Sequence, residues 1–464
     1  MTAPPPSFWT PSRIVLWGVT AAVVAAVVGP TYTRAFASPG DTYTDFVQEW
    51  LSARNYQSGA PIYRDVPTSL REHLNRGGDG PAPVVAFLDS ETGAVIAEMK
   101  YNAHPPVAVL AALPFGLLDY RHAHLAWNLV TYTLFLAAIG AVVYELAIPF
   151  RWPSLFPLAV LLLGNPVLNQ VYQGQLNCLL AAVVAAAWLA DRRGRPVLAG
   201  VAVGLAGALK LYPLFLLVYF VCARRWGALA AAVAGFLAAN GLAAVLFGAD
   251  AYRTYLASVL PEVAGGFDAA CGNMSLTGFW LRLAGTVPLR DWIGTDLVRP
   301  VGRGFAWAAS LAVTLAVAGA CRHAATREAR DRAYALAVVG MLLVSPITWA
   351  HYWLLLLVPL GLVWARTPPG PRLWLLGVVV TLLWLPANFA AQVWLGREAA
   401  TRFDEAHHSR ITAAEDLSIV SVPHYALLGL FFLVLRTPYA PPGVAPRSEE
   451  GHGPGHRPLL SGNR

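Results

Sequence analysis

Charge is scarce in this sequence. Asp, Glu, Lys and Arg make up 13% of its 464 residues, against about 25% in a soluble domain. With 56% hydrophobic residues and a mean hydropathy of +0.51, the chain has more apolar surface than a soluble globule can hide, and that class is excluded. Cysteine is equally sparse. Cys178, Cys222, Cys271 and Cys321 show no metal or redox spacing, and three lie in or beside apolar runs as small packing residues. There is no Walker-type G-x-x-x-x-G-K-[ST] stretch, which argues against an ATP-driven machine, and no internal repeat. The net charge of +7 could suit nucleic acid. The basic residues instead sit in short clusters between apolar runs, so membrane lipids and not nucleic acid are the expected partners.

What is abundant is long apolar sequence with aromatic ends. Sixteen Trp, 17 Tyr and 19 Phe fit interfacial belts. Membrane segments are expected near 13–29, 123–148, 153–168, 176–190, 196–209, 211–222, 226–247, 304–320, 333–345, 351–365, 372–388 and 424–436. Several are shorter than the ~20 residues a straight crossing needs. Segment 105–118 is too short to span and suits the interface. The run Ile14 to Gly29 ends at Gly29-Pro30 without a small-x-small cleavage pattern and reads as an uncleaved first helix. The expected fold is all-α: a polytopic transmembrane bundle of about 11–13 segments with a large outer loop after the first helix. Residues 1–438 form the membrane-embedded domain, and the Pro-, Gly- and charge-rich 439–464 reads as a disordered cytoplasmic tail.

The positive-inside rule orients the bundle. Arg151, Arg192/Arg193/Arg195, Arg224/Arg225, Arg322/Arg327/Arg330/Arg332, Arg366/Arg372 and Arg436 are then cytoplasmic. Pro196 to Cys222 has basic clusters at both ends, so a single crossing would strand one outside. Two half-length helices broken near Lys210-Leu211-Tyr212-Pro213 keep both inside, and Pro213 favours the break. The outer face receives 30–103, 165–175, the Lys210 break, 248–302, 346–350 and 389–423. The loop 30–103 carries nine acids, Asp41, Asp45, Glu49, Asp65, Glu72, Asp79, Asp89, Glu91 and Glu98.

Several pieces, in order, resemble glycosyltransferase family 87, the polyprenol-phosphate-sugar-dependent enzymes of GT-C architecture. They are Asp45-Phe46 followed by Gly59-Ala60-Pro61-Ile62-Tyr63; Tyr101 with His104-Pro105-Pro106; Gly174-Gln175-Leu176-Asn177; Gly200 to Gly207 with Lys210 and Pro213; Gly272-Asn273-Met274-Ser275-Leu276 with Arg282; and Ser345 through Trp349-Ala350-His351. The resemblance runs from about Asp41 to about Leu360. Two features depart from it: Tyr352 stands where the family often has a second His, and loop 64–100 is long. The resemblance implies transfer of one sugar, mannose or else arabinose, from a polyprenyl-phosphate donor to a glycan or glycolipid acceptor. It places the enzyme in the plasma membrane with its site on the outer face.

Such a transfer needs one carboxylate base for the acceptor hydroxyl and a cationic clamp for the departing lipid phosphate. A single inversion needs only one carboxylate. The resemblance assigns the base to Asp45, near the start of a short helix expected over 44–55. Without the family, Asp45 is equally a solvated loop acid or a helix cap. Lys210 stands out without any family: it is the only lysine after Lys100 and sits inside an apolar stretch, where a cation is costly and usually functional. Snorkelling to the interface is the alternative. His351 could join Lys210 on the phosphate or merely meet interfacial water. Gln175, Asn177, Asn273, Ser275, Tyr101 and Trp349 are candidates for sugar or lipid contact, with capping as the ordinary role of the Asn and Ser. No metal and no cofactor are expected; His407-His408 with Asp404 and Glu405 read as a solvated loop. Two other classes remain open at this point: a transporter, which also uses broken segments with buried charge, and a ligase or polymerase acting on a lipid diphosphate.

Overall fold

The computed structural model describes residues 44–74, 86–88, 95–98, 100–148, 161–368, 370–384 and 411–436, with scattered positions between 15 and 36. The chain is helical almost throughout. Helices α1 (Phe46–Gln57) and α2 (Val66–His73) open the first loop, followed by a two-stranded antiparallel hairpin, β1 (Ala86–Leu88) and β2 (Val95–Glu98). This hairpin is the one departure from all-α architecture among the described residues. Next come α3 (Pro106–Ala112), α4 (Tyr120–Glu145), α5 (Asn165–Gln173), α6 (Asn177–Arg192), α7 (Pro196–Leu209), α8 (Leu217–Cys222) and α9 (Trp226–Phe247). The second half carries α10 (Ala249–Thr254), α11 (Leu260–Gly266), α12 (Leu276–Gly285), α13 (Thr295–Arg322), α14 (Arg327–Val344), α15 (Leu357–Arg366), α16 (Pro371–Trp384) and α17 (Val422–Arg436).

Among the described residues α4, α9 and α13 are long and apolar enough to cross a membrane. Two bent pairs raise this to five if each is one span: α5 with α6, bent by 117°, and 413–420 with α17, bent by 57°. Shorter apolar helices account for 106–117, 196–209, 212–222 and 350–366. The expected segment 13–29 falls largely outside the described residues, as do the first half of 153–168 and the end of 372–388; the described half of 153–168 breaks at Gly164, where α5 begins. The spanning helices turn apolar residues outward: Leu129 and Leu134 on α4, Leu237 and Leu242 on α9, Leu311 and Leu315 on α13 are exposed. Such surfaces suit lipid, not water.

Two segment starts differ from expectation. The segment expected at 304 begins as helix α13 at Thr295, because Arg299 and Arg303, one turn apart, both pair with the buried Asp268. The one expected at 333 begins as α14 at Arg327, because Thr326 caps it through the Ala329 amide at 3.1 Å. Helix α14 is the centre of the bundle; every residue from Ala333 to Leu343 is buried.

The break at Lys210 is present. Helix α7 ends at Leu209, Lys210 is extended (φ −146°, ψ 141°), and a 3₁₀ turn, Tyr212–Leu216, leads into α8. The chain then returns to the end from which it left. Arg225, just past α8, bonds Asp191, near the end of α6, with Nη2 at 2.5 Å, and the Tyr219 hydroxyl donates to the same carboxylate at 2.6 Å. The other basic clusters converge on this end too. Glu145 accepts from Arg192, Arg193 and Arg327, and Asp331 accepts from Arg192 and Arg366. Five of the arginines expected on one face of the membrane, Arg192, Arg193, Arg225, Arg327 and Arg366, are thus joined at one end of the bundle by three acids.

Helices α7 and α9 pack backbone to backbone. A Cβ on Gly200 would lie 2.1 Å from the Ala228 carbonyl oxygen, and one on Gly204 2.2 Å from that of Ala232. This is the small-residue contact by which helices associate where no water drives them together. Gly204→Ala must push the pair apart, and overpacking of this kind typically costs about 1–3 kcal/mol. In detergent that variant should melt several degrees below the parent. Gly227→Ala, with nothing within 4 Å of the added carbon, should not. Matching melting curves for the two would remove the close contact as the reason for glycine.

Candidate active site

At the opposite end from the ionic cluster lies a cavity of about 560 Å³, within the size range of small-molecule sites. Asp45, Gln175, Lys210, Trp349 and His351 line it together with His104, Gln48, Asn165, Asn169, Gln173 and Tyr352. The remaining wall is largely apolar and includes Leu211, Phe215, Leu260, Val263, Met341 and Ile347.

Local turns aim these side chains. Helix α5 stops at Gly174, which is left-handed (φ 64°), and a Cβ there would meet that of Phe46 at 2.6 Å. Only glycine combines this φ with that approach. The Trp127 indole N–H holds the Gly174 carbonyl at 2.7 Å, and the Asn128 amide holds that of Val171 at 2.8 Å. The turn therefore presents Gln175 to two partners. Its Nε2 donates to Asp45 Oδ2, and its Oε1 accepts from Lys210 Nζ at 3.0 Å. One amide thus bridges the acid and the cation.

Asp45 occupies the residue before α1, yet its side chain makes no cap hydrogen bond. It faces Gln175 instead, while its backbone N–H donates to Gln173 Oε1 at 3.4 Å. Desolvation pushes its carboxyl up to about 6; the Gln175 hydrogen bond and the nearby His104 and Lys210 oppose the rise, and Glu49 adds to it. Lys210 Nζ lies 4.8 Å above the Tyr352 ring, and Tyr352 stacks on Tyr212 at 5.0 Å. The Tyr that departs from the family pattern therefore supports the cation through its π face. His351, buried in the 3₁₀ helix Ala350–Leu356, leaves Nε2 without a hydrogen-bond partner at the cavity wall.

Other sequence candidates are placed elsewhere. Asn177 is fully buried, donates its backbone N–H and Nδ2 to Gln170 Oε1 and accepts from the Tyr212 hydroxyl at 3.0 Å. Asn273 spans two loops: Nδ2 donates to the Phe267, Asp268 and Pro346 carbonyls, and Oδ1 accepts from the Ser275 and Thr348 amides. Ser275 caps α12 through the Gly278 amide. These three brace the walls; the expected capping describes Ser275, while Asn177 and Asn273 tie neighbouring segments together. Tyr101 packs beside Ile62, Tyr63 and Tyr255 and does not line this cavity. The expected loop 404–408 lies outside the described residues.

Polar residues of the wall that were not singled out from sequence include Gln48, Asn165, Asn169, Gln173 and His104, the last paired with Glu49. Glu49 is buried one turn after Asp45 and bonds His104 Nδ1. The acid recurring one helical turn after Asp45 and the His before Pro105-Pro106 were visible. Their pairing joins positions 55 residues apart and was not.

A half-buried acid joined through one amide to a buried cation, beside a largely apolar cavity in a bundle of apolar-faced helices, suits a membrane group-transfer enzyme. A model of glycosyltransferase family 87 matches residues 102–346, and the chain belongs to that family. It is an enzyme, a hexosyltransferase. A polyprenol-phosphate-mannose-dependent alpha-(1-2)-phosphatidylinositol pentamannoside mannosyltransferase of Mycobacterium tuberculosis (strain CDC 1551 / Oshkosh) is 30% identical over 310 residues, 63% of this chain and 67% of that protein. A polyprenol-phosphate-mannose-dependent alpha-(1-2)-phosphatidylinositol mannoside mannosyltransferase of Mycobacterium tuberculosis (strain ATCC 25618 / H37Rv) is 28% identical over 314 residues, 62% and 69% of the two chains. Among solved structures, ArnT from Cupriavidus metallidurans bound to undecaprenyl phosphate is 18% identical, with a TM-score of 0.36 over 89% of this chain and 76% of that one.

Proposed function

We propose that this enzyme moves one mannose from a polyprenyl-phosphate donor to a glycolipid acceptor on the outer face of the plasma membrane, by a single inversion. Residues 1–438 act as one membrane-embedded transferase, with 439–464 on the cytoplasmic side. Asp45 takes the proton from an acceptor hydroxyl as that oxygen bonds the anomeric carbon. The bond from that carbon to the phosphate oxygen breaks on the opposite side, and polyprenyl phosphate leaves as an anion. Lys210 and His351 hold it, and the apolar wall takes the first part of the lipid chain. The phosphate charge is assigned to Lys210 and His351, which share the cavity wall with Asp45.

The observation that carries this reading is the Asp45–Gln175–Lys210 chain. It sets one base and one cation a single amide apart, as one attacking and one leaving oxygen require. Membranes given labelled polyprenyl-phosphate mannose and a phosphatidylinositol mannoside should yield labelled acceptor and lipid monophosphate. Transfer instead from a lipid-diphosphate-linked glycan supplied in a parallel assay, with release of lipid diphosphate, would mark a glycan ligase, and absence of transfer to any acceptor would sink the reading.

Orientation has its own test. In a cysteine-free background, single cysteines at 60–95 should react with an impermeant reagent applied to intact cells, and those at 192–195 should be spared. Labelling of 192–195 would invert the topology and take the site off the outer face.

A further inference from the structure

The cavity holds hydrogen-bonding capacity that neither the base nor the phosphate clamp uses. Helix α5 turns Asn165, Asn169 and Gln173 into it, at i, i+4 and i+8, while Pro166, Val167, Gln170 and Val171 on the other face are buried. Residues at this spacing share one helical face. Asn169 Oδ1 is buried without a partner among the described residues. On α1, Gln48 is 1% exposed; its Oε1 holds the Ala103 amide at 3.0 Å, and its Nε2 is buried and unpartnered on the same cavity wall. Leaving such groups unpaired costs roughly 1–3 kcal/mol each, so they mark places where a ligand completes the bonding.

The chemistry of that ligand follows from the donors and acceptors. An amide oxygen needs a donor, which a phosphate at neutral pH supplies poorly. A sugar hydroxyl gives and accepts at once and satisfies both ends of an Asn or Gln. The position decides which sugar. The amide row begins at Gln173, bonded to the backbone of Asp45, and runs along α5 to Asn165. At a rise of 1.5 Å per residue its length is about 12 Å, more than one hexose covers. In an inverting transfer the acceptor enters on the side of the base, opposite the leaving phosphate. We infer that α5 is the acceptor subsite, an amide row that reads at least two linked sugars of the acceptor, with Asn169 binding the sugar next to the reacting one and Asn165 the following one. This rests on the proposed transfer reaction.

The test uses full-length protein, short-chain polyprenyl-phosphate mannose, and alkyl mono-, di- and trimannosides as acceptors. The parent enzyme should show a lower KM for the dimannoside than for the monomannoside. The trimannoside KM should be lower still, and Asn165→Ala should erase that further gain, raising the trimannoside KM alone by about fivefold, the worth of one neutral hydrogen bond, while the mono- and dimannoside KM values stay put. Asn169→Ala should raise KM for di- and trimannoside by a similar factor. Both positions are half-buried on a helix and accept alanine, and equal melting curves would confirm it. The donor KM should not change for either variant. A rise in donor KM instead, or acceptor KM values that match the parent throughout, overturns the assignment. Binding of alkyl dimannoside to donor-free protein reads the subsite without turnover. Binding that weakens in Asn169→Ala while the parent transfers nothing would sink the transfer reading and keep the sugar site.

Discussion

Asp45→Asn should lower turnover by about a hundredfold to ten-thousandfold while donor affinity stays near that of the parent, because the amide keeps the shape of the carboxyl and loses only the base. The bonding around it allows this comparison. The asparagine Oδ1 can still accept from Gln175 Nε2, and the backbone N–H can still meet Gln173. The pH profile supplies a second reading. The base acts when ionised, and desolvation pushes the Asp45 carboxyl up to about 6. Activity should therefore rise with pH through about 6 and then level, where an ordinary Asp would have levelled near 4. The variant's residual activity should lack that limb. Stability moves oppositely. A carboxyl whose folded pKa lies above its unfolded value stabilises the fold when protonated and loses that contribution as pH rises toward 6. At pH 7 the Asn variant should accordingly melt no lower than the parent, so a loss of activity cannot be put down to unfolding. Asp41→Asn is the control and should be mild. Normal turnover of Asp45→Asn beside a dead Asp41→Asn would move the base.

Where the sequence spoke clearly, it did so through incompatibilities. Arginine clusters at both ends of Pro196 to Cys222 could not both be cytoplasmic unless the chain turned back. The turn is there, closed by Arg225 and Tyr219 on Asp191. A lysine inside hydrocarbon demanded partners, and Gln175 and Tyr352 supply them. Where it spoke less clearly, residue type carried no direction. Gln175 and Asn177 are two positions apart in one motif. One turns into the cavity from the left-handed turn at Gly174, and the other is spent on Gln170 and Tyr212. Asn273 and Ser275 read as possible sugar ligands because amides and hydroxyls bind sugars, yet they tie one loop to another. The helices that begin at Thr295 and Arg327 start ahead of the apolar runs at 304 and 333 because charge in sequence reads as loop. In the fold those charges are consumed by Asp268, Glu145 and a cap. The acceptor face of α5 was hidden for the same reason as the Glu49–His104 pair: its meaning lies in what stands across the cavity.

Lys210 is where the phosphate clamp stands or falls. Among the described residues its ammonium has one hydrogen-bond acceptor, Gln175 Oε1, and one aromatic face, that of Tyr352. Three donors with one acceptor leave capacity for a ligand, and a cation at a cavity wall attracts an anion far more strongly than it would in water. Lys210→Met keeps the apolar stem in its place and removes the charge. Loss of a charge-assisted bond to phosphate costs about 1.5–3 kcal/mol, so donor affinity should fall by about tenfold to a hundredfold. Acceptor affinity should hold, since the amide row on α5 is a separate wall. Tyr352→Leu tests the support beneath the cation. It leaves the charge but removes its π face, a contact worth about 0.5–2 kcal/mol depending on desolvation, so the donor should weaken by a few fold and less than in Lys210→Met. The ordering of the two is the diagnostic part. A phosphate clamp requires Lys210→Met to be the worse for donor binding, whereas a lysine that only snorkels to the interface leaves donor affinity untouched in both. Unchanged donor affinity in a Lys210→Met protein that melts like its parent would strip Lys210 of any part in the chemistry and leave His351 as the phosphate's partner.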